Sequence, residues 1–142
     1  MKIFPSWKIT QKWLEPNPSY KSGYHPGLDY ACPIGTPICA PYDGRITKVF
    51  DNDPSRGNAL HYLFSLNGKD YAIRCLHLNK VPIVGTYKQG DIIGYTGNTG
   101  MSTGPHLHID LWKDGYIRPE KIITLQGIKD NQLDPLTPGI LV

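Results

Sequence analysis

Asn67-Gly68 stands between two runs in which apolar and polar residues alternate, Ala59 to Leu66 and Lys69 to Leu78. A two-residue type I′ turn needs positive φ at both positions, which asparagine and glycine tolerate best, so the pair predicts a β-hairpin. A turn of that length also fixes the pairing. Leu66 faces Lys69, Tyr62 faces Ile73, His61 faces Arg74 and Leu60 faces Cys75. Directly opposed residues share a sheet face. Absent a bulge, His77 is therefore expected with Cys75, Ile73 and Tyr71, while His61 lies beside Arg74 on the other face.

The remaining chain also reads as strand and turn. Fifteen Gly and thirteen Pro are scattered over 142 residues, the pattern of turn-dense β structure. Strands are expected at Lys8 to Trp13, Ile38 to Ala40 and Arg45 to Phe50, with further short ones between Val81 and Ile93. Asp51 to Asn58 reads as a loop at a cleft edge. No repeat, heptad pattern or helix longer than a turn or two is evident. The expectation is a mostly β single domain with little helix, long enough to bury about two-thirds of its unfolded surface. It divides into an arm over residues 1–22 packed through Trp7 and Trp13, a core over 23–119, and a tail over 120–142 lying along the surface.

Charge and cysteine usage exclude several classes. The net charge of +3 suits an anionic polymer such as cell-wall material and falls short of a nucleic-acid footprint. No apolar run approaches membrane-spanning length. Cys32, Cys39 and Cys75 lack C-x-x-C spacing, so neither a zinc ribbon nor a thioredoxin motif is present, and buried free thiols are expected. Gly94-Tyr95-Thr96-Gly97-Asn98-Thr99-Gly100 has the wrong spacing for a dinucleotide loop, and no helical pattern follows it. Met1 to Lys8 lacks the apolar centre of a signal peptide, so a chain working outside a cytoplasm would be delivered by another route. A monomer is expected.

The chemistry concentrates in the histidines. In Gly104-Pro105-His106-Leu107-His108-Ile109-Asp110 the alternation suits a strand with His106 and His108 on one face, Leu107 and Ile109 on the other. Two imidazoles aimed together suit a divalent metal, although an H-x-H alone is also met as a pair of surface histidines. His25 and Asp29 form H-x-x-x-D, which Pro26 keeps out of a helix; a loop entering a strand can still bring both to one point, with Gly27 giving backbone freedom. Two nitrogens and a carboxylate suit Zn²⁺ with one coordination position open, the mark of a catalytic site. Alternation cannot say which of His106 and His108 would be the ligand.

The series His25-Pro26-Gly27-Leu28-Asp29, Gly35-Thr36-Pro37-Ile38, Leu76-His77-Leu78, Gly90-Asp91-Ile92-Ile93-Gly94 and Ser102-Thr103-Gly104-Pro105-His106-Leu107-His108 resembles the lysostaphin-type zinc metalloendopeptidases, peptidoglycan hydrolases of bacteria and their phages. The resemblance spans roughly residues 23–119 and, with neither a signal peptide nor a separate wall-binding domain read in the sequence, leads to the expectation of a phage lysis or virion protein, or one exported by another route. It implies an antiparallel sheet core of the duplicated-hybrid-motif kind, with a groove floored by the sheet and walled by loops. It further implies His25, Asp29 and His108 as ligands of one zinc ion, His77 and His106 as the catalytic pair, and stem or cross-bridge peptides of peptidoglycan as substrate. The chain departs from the family at Cys75, where an aromatic is frequent, and at Asp110, where glutamate is usual. Cys75 is expected on the face of His77, where it would alter the groove. His61 has no family role and is expected to make a surface or strand-packing contact. The competing expectation is a non-catalytic relative that binds the wall or activates another hydrolase; such relatives lose ligands, whereas all five positions are filled here.

Overall fold

A computed structural model describes residues 7–142; most of the Met1 to Lys8 stretch read above for a leader lies outside the described residues. Ten strands follow in order: β1 (Lys8–Gln11), β2 (Leu28–Ala31), β3 (Pro37–Cys39), β4 (Gly44–Asp53), β5 (Gly57–Leu66), β6 (Lys69–Leu78), β7 (Gly85–Tyr87), β8 (Ile92–Tyr95), β9 (His106–Lys113) and β10 (Gln132–Leu133). The β5–β6 hairpin turns at Asn67 and Gly68, with φ of 52° and 77°, and the four expected cross-strand pairs are the ones observed. The long strands β4 and β5 overrun the expected loop at Asp51 to Asn58, leaving a turn of only three residues.

The main antiparallel sheet runs β1-β2-β9-β6-β5-β4-β7, with β10 also on β9, and β3 pairs with β8 in a small second sheet. Alternation gives each central strand an apolar face. Leu28 and Tyr30, Leu107, Ile109 and Leu111, Ile73, and Leu60, Tyr62 and Phe64 turn to one side, where Ile38 and Ile93 of the small sheet complete the core. The expectation of a mostly β domain with an antiparallel core is met.

One feature of β6 overturns the expected facing of His77. Cys75 pairs with Leu60 and Leu78 with Asn58, so Leu76 and His77 together oppose the single residue Ala59. This is a β-bulge, and His77 takes φ of 63°, a left-handed conformation rare outside glycine. The extra residue reverses the alternation. Cys75 stays fully buried in the core, while His77 swings to the opposite face, where its ring lies 4.9 Å from that of His106. The expected grouping of His77 with Cys75 is thus incorrect, and Cys75 lies away from any groove at the histidines.

The segment after Pro119 is more than a surface tail. It forms a 3-10 turn at Pro119–Lys121 and a two-turn helix, α1 (Leu125–Asn131), started by Thr124, whose hydroxyl accepts from the Gly127 N–H at 3.0 Å. Ile128, Gln132 and Leu141 are buried. At the other end Trp7 packs edge-on against Tyr30 and the Trp13 indole donates to Gln132, so both tryptophans serve packing. All three cysteines are free; Cys32 and Cys75 are buried, Cys39 partly so. Among the described residues no helix is long and apolar enough to cross a membrane.

Candidate metal centre

Asp29 on β2 and His108 on β9 oppose each other directly, which places both side chains on the face of the sheet away from the core. His25 arrives from the loop before β2. Its backbone is held on both sides by the arm, Leu14 N–H donating to His25 C=O and His25 N–H to Glu15 C=O, each at 2.9 Å. The result is a cluster in which one donor atom each of His25, Asp29 and His108 lies within 4.8 Å of the others.

Each ring is oriented by what its second nitrogen does. Nδ1 of His25 donates to the Lys12 carbonyl at 3.2 Å, and Nε2, buried and without a hydrogen-bond partner, lies 3.3 Å from Asp29 Oδ1. Nδ1 of His108 lies 3.0 Å from the same oxygen, while its Nε2 lies 3.0 Å from Asp110 Oδ2. Asp110 is anchored in turn by Arg74, whose NH2 group donates at 2.8 Å and Nε at 3.1 Å, and by the Trp112 indole. A carboxylate behind a ligand imidazole fixes which nitrogen faces the metal and raises its basicity. Gly27 completes the fit. A Cβ there would sit 2.7 Å from the His108 ring, so this glycine is required for close approach, and its φ is not in the left-handed region. The backbone freedom expected of it is not what the site uses.

The electrostatics favour a cation. Burial alone would raise the Asp29 pKa, but the imidazoles of His108 and His25 outweigh it and hold the carboxyl well below the usual range. Burial works against a charged His108, yet hydrogen bonds to Asp110 and Asp29 raise its pKa to about 9. An imidazole between two carboxylates, beside an orphaned buried nitrogen, demands positive charge, and the residues present fit a divalent ion as well as a proton.

His77 and His106 stand next to this cluster, the His77 ring 6.4 Å from that of His108. His77 Nδ1 donates to the Thr99 carbonyl at 2.8 Å and His106 Nδ1 to the Gly104 carbonyl at 2.8 Å, with Ser102 Oγ at 3.0 Å. Each ring keeps Nε2 as its free nitrogen. Burial lowers the His77 pKa to about 4, so it is neutral at physiological pH. The structure therefore brings all five expected site residues together, three in one cluster and two beside it. His61 is not among them. It packs 5.4 Å from the Phe50 ring, and its pKa is lowered to about 4, by burial first and then by Arg74.

Sequence reading missed the supporting residues Lys12, Arg74, Thr99 and Trp112, and took Asp110 only as a departure from the family's usual glutamate. Arg74 and Asp110 were findable in principle, since Asp110 follows His108 by one strand period. What was lacking was the β6–β9 pairing that sets Arg74 opposite Asp110.

His25, Asp29 and His108 form a triad able to hold a metal ion, on the side of an antiparallel sheet away from its core. Residues 23–119 match the model of Peptidase family M23, and the chain belongs to that family. Among relatives, it is 43% identical over 89 residues to the peptidoglycan DD-endopeptidase ShyA of Vibrio cholerae, covering 61% of this chain and 20% of ShyA. Among solved structures, LytU superposes with a TM-score of 0.69 at 36% identity, covering 95% of this chain and 86% of LytU. The catalytic domain of lysostaphin from Staphylococcus simulans superposes with a TM-score of 0.69 at 26% identity, covering 91% and 89%. The chain spans less than a third of the length of such curated relatives, 19% in one from Haemophilus influenzae and 28% in one from Buchnera aphidicola.

Proposed function

We propose that this chain is a zinc-dependent endopeptidase acting on stem or cross-bridge peptides of bacterial peptidoglycan. The observation that carries the reading is the meeting of His25, Asp29 and His108 within 4.8 Å beside two further imidazoles, each with Nδ1 engaged and Nε2 free. Two nitrogens and one carboxylate are a ligand set that suits zinc and leaves a position open. When bound, zinc supplies a Lewis acid for a peptide carbonyl and lowers the pKa of coordinated water. His77, neutral at pH 7, is suited to accept a proton at Nε2 and pass it to the departing amine. His106, facing it at 4.9 Å between ring centroids, is suited, once its Nε2 carries a proton as well, to hydrogen-bond the oxygen that gains charge when the carbonyl is attacked. All five side chains meet on the side of the sheet away from the core, four from strands and His25 from the loop before β2. The peptidoglycan substrate rests on the likeness to ShyA and lysostaphin and on the mildly basic balance of the chain.

The test pairs metal analysis with digestion of purified walls. The expected result is one zinc per chain and cleavage that stops on chelation, with mass analysis of the fragments identifying the bond cut. Stoichiometric zinc with no loss of wall turbidity would instead indicate a wall-binding relative without catalysis.

A further inference from the structure

The bulge that turns His77 toward the metal centre breaks the ladder between β5 and β6, and one side chain from a distant loop repairs it. Thr99 Oγ1 donates to the Leu78 carbonyl at 2.7 Å and accepts from the Asn58 N–H at 3.0 Å. Leu78 and Asn58 are the pair with which the ladder resumes beyond the bulge, so the hydroxyl bridges the two strands where their own pairing is disturbed. The carbonyl of the same residue accepts from His77 Nδ1. His77 is also held from behind, its backbone N–H donating to the Arg56 carbonyl at 2.9 Å. The turn that carries Arg56 is tied to the Thr99 loop by Met101 N–H to Ser55 C=O at 3.0 Å. The packing there is tight: a Cβ on Gly57 would lie 2.3 Å from Thr99 Oγ1.

We infer that Thr99 is the positioning residue for His77: its hydroxyl locks the bulge, and its carbonyl then selects the Nδ1–H tautomer that leaves Nε2 free. Both lone functions of the hydroxyl are committed within the protein, so Thr99 acts through His77. A left-handed non-glycine residue persists only where surrounding contacts over-determine it, and here the Thr99 hydroxyl, the Thr99 carbonyl and the Arg56 carbonyl supply those contacts. Loss of the hydroxyl leaves the carbonyl in place chemically but frees the loop that aims it, so the imidazole loses its fixed tautomer and direction.

The role in turnover rests on the function proposed above; the tautomer does not. The experiment compares wild type, T99V and T99S as zinc-loaded full chains on soluble cross-linked wall peptides, with zinc content and the ¹⁵N resonances of the His77 ring recorded for each. T99V should lower kcat at least tenfold at unchanged KM and unchanged zinc content, and convert the single Nδ1–H tautomer into a mixture. T99S should restore both. If valine prevents folding, T99A takes its place with the same expectation. A variant that melts at lower temperature yet keeps kcat and the tautomer would show a purely structural hydroxyl and overturn the inference. A wild-type chain that cleaves no wall peptide would refute the function alone, and the tautomer comparison would still decide for or against Thr99.

Discussion

Gly27 shows how little room the metal centre leaves. A methyl group there would collide with the His108 ring, whose position is set from both sides by Asp29 and Asp110. G27A should therefore lose about 2 kcal/mol of stability by overpacking and bind zinc more weakly, read from a chelator competition and a urea titration of the same sample. Asp110 acts from behind the ligand. D110N keeps the shape but removes the charge that Arg74 and His108 share, and the expected loss in zinc affinity is about 10- to 100-fold. Among the site residues themselves, D29A and H108A should abolish zinc binding and cleavage together. H77A should keep zinc and lose turnover; wall cleavage at the wild-type rate by H77A would remove His77 from the catalytic pair.

At the scale of the element, the bulge in β6 decides which residues meet. In a regular strand glycine is less stable than alanine, by up to about 1 kcal/mol. At His77 the order should reverse, because glycine adopts a φ of 63° without the cost of about 1–2 kcal/mol that an L side chain carries there. H77G is expected to unfold at higher urea than H77A, and the opposite order would mean that the left-handed turn does not persist in solution. The same element explains the misassigned facing. Hairpin register was legible from Asn67-Gly68 because local turn chemistry fixes it, and alternation was legible in β9 because polar and apolar residues alternate from His106 to Leu111. No local signal marks Leu76-His77 as a bulge, since the pair lacks the glycine that most often announces a positive φ.

For the whole molecule, the buried histidines set how stability responds to pH. In the metal-free chain His61 and His77 have pKa values of about 4, below their ordinary 6.5, while His108 is raised to about 9. As pH falls from 6.5 to 4 the unfolded chain takes up protons on His61 and His77 that the folded chain refuses, so stability declines. As pH rises from 6.5 through 9 the folded chain keeps a proton on His108 that the unfolded chain releases, so the stability which that proton confers is lost. The metal-free protein should be most stable near pH 6.5, as urea midpoints across pH 4.5 to 9.5 would report. H61N should make the acid arm shallower. Zinc bound as proposed would displace the His108 proton, so its stabilising effect should grow between pH 6.5 and 9.

What the sequence by itself determined is what short-range chemistry determines. The Asn67-Gly68 turn, the strand alternation and the identity of the metal-capable side chains each depend on neighbours a few residues away. The tertiary structure alone decided that His77 leaves the core face, that Asp110 is pinned by Arg74 across two strands, and that the arm presents the Lys12 carbonyl to His25. Each of these places a group in a position unfavourable by itself, whether a left-handed backbone, a buried charge or a buried imidazole. Only contacts from distant segments, formed together in the folded chain, offset that cost.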